Sequence, residues 1–280
     1  MPTFAAALPP RRPPAFLAWV CALLALWLVA LLLGPALLAA SGLALNPHGH
    51  AHLYAHGHPF VDARVLWSIP NAMDVLSNAP LSLAGLLGLL ALRGRGLPGA
   101  TRAALVVFFT GLLVTGFGSA LYHWSPDAAG LVADRLGMAV TFAGALALAV
   151  AERVGQAPAR PVLVVAFMVA VLSAALPYTH GNVLPWAVVQ FGGVALIAWA
   201  ALQAPAPGAI GVHLGALIAW YALAKALELG DAAVFHATSG WISGHSLKHL
   251  GAALAAWPVL AALLAQPLRQ NAAGSGAARA

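Results

Sequence analysis

Charge is scarce in this chain. Only 7% of its 280 residues are Asp, Glu, Lys or Arg, and the acidic ones number 7. A soluble domain carries about 25% charged residues, so the shortage excludes an ordinary water-soluble globular protein. With 62% hydrophobic residues and a mean hydropathy of +0.89, the composition is that of an all-α integral membrane protein. Cysteine is nearly missing as well. The single Cys21 excludes an intramolecular disulfide, and inside the first apolar run it reads as a small packing residue. The pI near 10.3 comes with no basic cluster. The Lys and Arg residues are scattered between apolar runs, and nucleic acid is not an expected partner.

What the chain has in abundance is apolar runs near the ~20 residues needed to cross a bilayer. Eight are expected, over residues 15–38, 73–92, 103–122, 131–151, 162–176, 183–202, 210–229 and 246–264. The fifth is short and expected to end at Pro177. Residues 1–45 form an N-terminal anchor helix. Its two arginines and small-residue end also fit a secretory signal peptide, although the apolar run exceeds the 7–15 residues of a typical one. Residues 46–70 form an outer loop rich in His48, His50, His52, His56 and His58, residues 71–266 a seven-helix core, and 267–280 a disordered cytoplasmic tail. The His-rich tract reads as a loop between spans, with metal collection as the alternative.

Direction follows from the basic residues. With the N-terminus inside, Arg11, Arg12, Arg93, Arg95, Arg102, Arg153, Arg160, Arg269 and Arg279 fall on the cytoplasmic side, and Arg64, Arg135, Lys225 and Lys248 on the other. This positive-inside bias places both termini in the cytoplasm, with a bacterial-type inner membrane as the expected location. Trp124, Trp186 and Trp241 fall near span ends, where an aromatic belt is expected.

Polar groups beside hydrocarbon are costly and therefore functional candidates. Ser119 and His123 close the third span, Asp134 opens the fourth, and His245 and His249 open the eighth. The charge count, made without the histidines, brings all five to the outer face. Residues four apart on a helix share a side, with Cβ atoms about 6 Å apart, so His245 and His249 can hold one ion together. Either pair alone is a weak signal, because single histidines are usually satisfied interface residues. Three histidines at one depth with a carboxylate and a hydroxyl fit a catalytic zinc site: three protein ligands and an open position. Asp134 would then serve as general base and acid and Ser119 as oxyanion donor. The bland alternatives are, for Asp134, an ion pair with Arg135 or a charge near a helix N-terminus, and for Ser119 a hydroxyl bonded back to its own helix.

The stretches GSALYHWSPDAAGLVADRL and GHSLKH resemble the alkaline ceramidases, within a superfamily of seven-helix membrane hydrolases that includes adiponectin receptors and Per1-type proteins. The family pattern, S-x-x-x-H, an aspartate about eleven residues on, and a late H-x-x-x-H, is matched by Ser119, His123, Asp134, His245 and His249. Ser77 and Asn78 look like the family's S-N element. The resemblance covers roughly residues 62–264. It implies a seven-helix hydrolase core, here preceded by one extra transmembrane helix, and a Zn²⁺ amidase whose partner is a membrane lipid: a ceramide-like substrate cut to a fatty acid and a sphingoid-type amine. The family's calcium-binding D-W-C-E-x-N element has no counterpart. Asp62, Asn71 and Asp74 offer few oxygen ligands in its place, and the expectation is against Ca²⁺.

Lys225, Glu228 and Asp231 share a face near the outer end of the seventh span. They read either as groups orienting a ligand histidine or lipid headgroup, or as an ion-pair network locking the last two spans together. Asp62 and Arg64 either cap the mouth of the site or pair with each other. His180, His213 and His236 read as structural. The rival function is a non-catalytic heptahelical metal-binding protein, a transporter or receptor-like binder. The same site acting on another amide or ester lipid is a third reading.

Overall fold

The computed structural model describes residues 13–42 and 60–268. The five histidines of the tract before Pro59 and the tail from residue 269 lie outside them. The described residues form an all-α membrane protein: a lone N-terminal helix followed by seven rods. Helix α1 spans Pro13–Ala40. The first rod is a short α2 (Ala72–Leu76) running into α3 (Ala79–Ala91). Three long helices follow: α4 (Gly99–Trp124), α5 (Ala128–Arg153) and α6 (Gln156–His180). The next rod is α7 (Leu184–Ala187), a π turn (Val188–Gly192) and α8 (Gly193–Ala201). The sixth is α9 (Leu214–Leu229) with α10 (Asp231–Ala237), and the last is α11 (Gly244–Leu254) with α12 (Trp257–Leu264). Seven of the eight rods are long and apolar enough to cross a membrane. The exception, α9, has 16 residues and reaches about 24 Å.

Two expected helix ends are corrected. The fifth span does not stop before Pro177 but runs on to His180. A proline near a helix end removes only one backbone bond, and membrane helices absorb such losses. The seventh span starts at Leu214 rather than at residue 210, because Glu152 captures the backbone before it. The Glu152 carboxylate, fully buried, accepts from the N–H of Ile210 (2.7 Å), Gly211 (2.9 Å) and Val212 (2.9 Å). His213 then caps α9, its Nδ1 accepting from Ala216 N at 3.0 Å.

The bundle is built on the antiparallel pair α4 and α5. Gly111 and Gly118 on one helix and Gly137 and Gly144 on the other have the same seven-residue spacing. A methyl group at these positions would run into backbone atoms of Thr141, Ala133, Thr115 and Phe108. Without a hydrophobic force between helices in lipid, such close approach is what gains dispersion energy. The core beneath, with Leu105, Phe109, Leu148 and Leu263 fully buried, fills the half of the bundle nearer the arginine-bearing ends. The outward faces stay apolar: Phe117, Leu121, Met168, Phe191 and Leu202 are all exposed, as expected of a lipid-facing surface.

Helix α1 docks by polar contacts rather than by area. Pro35 has no N–H to give the Leu31 carbonyl, and Asn182 Nδ2 reaches that carbonyl (3.3 Å) and Ala30 O (3.0 Å) instead. Trp27 Nε1 donates to Ser173 Oγ at 2.8 Å. Cys21 is exposed on this helix rather than packed as expected, because α1 buries only a narrow stripe and turns most of its surface to lipid.

Candidate metal centre

No β-strand forms among the described residues, and the three histidines are aimed by helix ends. The end of the bundle opposite the arginine-bearing loops carries the end of α4, the start of α5, the α9–α10 junction and the start of α11. His123, in the last turn of α4, His245 and His249 meet there. All three are buried, at 0, 0 and 4% exposure. One nitrogen from each lies within 4.8 Å of the others. The His123 and His245 Nε2 atoms are 3.1 Å apart, close to the ~3.3 Å between two nitrogens on one tetrahedral zinc with ~2.05 Å bonds. The three ring centroids form a triangle with sides of 4.7, 5.3 and 5.1 Å. Among the described residues this is the one His, Cys, Asp or Glu group able to hold a metal ion.

Ser77 sits behind the His249 ring. Ser77 Oγ lies 2.8 Å from His249 Nδ1 and 3.2 Å from the Asp74 carbonyl. A hydroxyl has one hydrogen. Assigning that hydrogen to the carbonyl, which also accepts from Asn78 Nδ2 at 2.8 Å, makes Ser77 the acceptor of Nδ1–H of His249. The assigned tautomer leaves Nε2 with its lone pair toward the other two imidazoles. This contact gives Ser77 a role that the sequence did not reveal, since the partners are 172 residues apart.

The start of α11 is clamped from two sides. Ser243 caps it, accepting from Ser246 N at 2.9 Å. Asp74 Oδ1 accepts from Ser246 Oγ (2.7 Å) and Ser243 Oγ (3.3 Å), and Asp231 Oδ1 accepts from His245 N (2.8 Å). A side chain at Gly244 would strike the Leu227 carbonyl and the backbone of Asp231, so only glycine allows this junction. Asn71 Nδ2 donates to the His123 carbonyl at 2.9 Å, satisfying an acceptor that a helix end leaves open. Phe60 lies edge-on to His123 (4.8 Å) and His245 (5.6 Å). It covers the imidazoles from outside, and sequence reading had no signal for it.

Each of the three calcium candidates holds a partner within the protein. Asp62 is taken by a two-pronged pair with Arg64 (2.7 and 2.6 Å), Asn71 points its amide at His123 O, and Asp74 is held by the serines. Arg64 also donates to the Trp241 carbonyl at 2.8 Å. Donating to the Asp62 carboxylate raises the pKa of the Arg64 guanidinium further. Lys225, Glu228 and Asp231 divide the two roles foreseen. Glu228 bridges Lys225 (2.5 Å) and Lys248 (2.7 Å), tying α9 to α11, while Asp231 positions His245 through its backbone.

Ser119 and Asp134 line a cavity of about 370 Å³ that also reaches His249. Ser119 is 2% and Asp134 8% exposed. Neither makes a side-chain hydrogen bond to a described residue, and Asp134 forms no ion pair with Arg135. Thr115, one turn earlier, does bond back to its own helix at Gly111 O (2.7 Å); Ser119 does not. Away from the histidines the cavity runs between Phe108, Leu112, Ala145, Ile197 and Leu217. Its flank includes Trp186, Gln190 and Phe191 from α7 and the π turn. Comparison with models of known families, with curated proteins and with solved structures finds no match for this chain.

Proposed function

We propose that the chain is a zinc-dependent amidase of membrane lipids, cleaving a ceramide-like amide into a fatty acid and a sphingoid-type amine. One observation carries this reading: three buried imidazoles converge beside the polar end of a mainly apolar cavity, where Ser119 and Asp134 hold no partner among the described residues. The donor set suits zinc, with three nitrogens and room for a fourth ligand. His123, His245 and His249 would hold the ion. When bound it supplies Lewis acidity and a water of lowered pKa.

The chain's own residues do the rest. The Asp134 carboxylate takes the proton of the attacking water and returns it to the departing amine nitrogen. Ser119 Oγ–H donates to the substrate carbonyl oxygen as negative charge grows there. The acyl chain lies in the apolar part of the cavity. From Ser119 to Phe108 the wall of α4 extends about 16 Å. Such a one-sided cavity favours hydrolysis over metal transport, because a translocation path needs polar groups along its whole length. We place the site toward the outer face of a bacterial-type inner membrane, with both termini inside.

The test is metal analysis of the purified chain alongside mass-spectrometric detection of fatty acid released from ceramides, other N-acyl lipids and lipid esters. Stoichiometric zinc and chelator-sensitive amide cleavage are expected. A chain with bound metal that cleaves none of the panel would overturn the amidase reading. Faster cleavage of esters than amides would reassign the substrate bond.

A further inference from the structure

The charges bordering the cavity do not balance among themselves. Arg135, Lys225 and Lys248 face it together with Asp134 and Glu228. Glu228 engages both lysines, one on each oxygen. Arg135 is 7% exposed and lies about two turns into α5, yet it forms neither an ion pair nor a side-chain hydrogen bond with any described residue. Its neighbour Asp134 projects about 100° further round the helix and reaches it only through its longer-range field. A guanidinium presents five N–H donors. Buried charges are ordinarily paired and hydrogen-bonded, since removing an ion from water is otherwise costly. The space before this one is the lipid cavity.

We infer that Arg135 receives an oxyanion carried by the lipid, an inference that rests on reading the cavity as the lipid site of the amidase. The planar fork of a guanidinium fits carboxylate, phosphate or sulfonate through two parallel hydrogen bonds. Each lysine already holds one oxygen of Glu228, whereas Arg135 holds none among the described residues. The oxyanion has two sources: an acidic group on the amine half of the substrate, beside the scissile amide, or the carboxylate of the released fatty acid. Asp134 and Arg135 are consecutive residues, so either source brings the anion close to the reacting bond.

The test needs no turnover. The full chain in neutral detergent, stripped of metal by chelator, is titrated with N-dodecanoylglycine, dodecanoate and, as the neutral control, dodecanol. Binding is read from intrinsic fluorescence, since Trp186 lines the cavity. The wild type is expected to bind at least one of the anionic amphiphiles about tenfold or more tightly than the alcohol. Arg135→Gln should abolish that preference and Arg135→Lys restore part of it. Stronger binding of N-dodecanoylglycine assigns the anion to the substrate; stronger binding of dodecanoate assigns it to the product. A wild-type chain with no preference for either anion over the alcohol, or an Arg135→Gln chain with the wild-type preference, overturns the inference. If Arg135→Gln does not fold, the wild-type comparison decides alone. Because the protein is metal-free, failure here leaves amide hydrolysis standing, and an absence of hydrolysis leaves anion binding standing.

Discussion

Replacing Ser77 by alanine removes the acceptor that fixes the His249 tautomer, without touching a ligand atom. In the native arrangement Ser77 gives its hydrogen to Asp74 O and accepts Nδ1–H of His249. After Ser77→Ala that hydrogen bond, about 1 kcal/mol net, is gone. The Nε2–H tautomer, which points a proton at the other imidazoles, is no longer disfavoured. Loss of a hydrogen-bond partner behind a metal-bound histidine ordinarily lowers affinity about 10- to 100-fold, or about 1.4–2.8 kcal/mol. The assay is competition for zinc against a calibrated chelator at neutral pH, with a thermal melt of the metal-free protein alongside. A drop of that size with a small melting shift is expected, and Ser77→Thr, which keeps a hydroxyl, should recover much of the affinity. Unchanged zinc affinity in Ser77→Ala would refute this tautomer assignment and, with it, the role of Nε2 of His249.

Four further outcomes are expected. His245→Ala should abolish stoichiometric zinc while the chain still elutes as a folded species in detergent; unchanged zinc content would remove His245 from the ligand set. Asp134→Asn should keep zinc and lose turnover by at least about 100-fold, measured as fatty acid release; full activity would assign the base elsewhere. Glu152→Ala strands three backbone donors, two of them buried, and should cost about 2–3 kcal/mol or more, seen as a lower melting temperature in the metal-free protein. A cysteine placed at exposed Trp124, in a chain with Cys21 replaced, should react with an impermeant reagent added outside intact cells; labelling only after lysis would reverse the proposed orientation.

The depth of the site was legible in the sequence, and its lateral arrangement was not. Each apolar run long enough to cross forces the chain to alternate ends, so a residue's distance from the nearest loop fixes its level in the bundle. That is why His123 and His245, 122 residues apart, could be set at one height from sequence alone. Nothing in a run of Leu, Val and Ala says which helix stands beside which. The adjacency of α4 and α5 depends on glycine faces matching in three dimensions, and that of α2 and α11 on Asp74 meeting two serines. Local irregularities escaped for a related reason. The π turn at Val188–Gly192 and the break between α11 and α12 leave the apolar pattern intact, since an all-round hydrophobic run has almost no phase to disturb.

Polar residues in these spans were therefore the informative ones, and they sort by what satisfies them. Thr115, Thr141 and Ser173 bond back to their own helices. Glu152, Asn182 and Asp74 supply or receive the bonds that helix ends and prolines leave open. Each of these has a structural partner and needs no substrate to justify its burial. Ser119, Asp134 and Arg135 stand apart. They are buried nearly as deeply, they face one cavity, and no described side chain hydrogen-bonds to them. In a low-dielectric interior such groups persist only where something else completes them. The geometry thus separates polar residues that hold the bundle together from those facing the cavity with no hydrogen-bond partner among the described residues, a division that residue type alone, serine against serine and aspartate against aspartate, could not make.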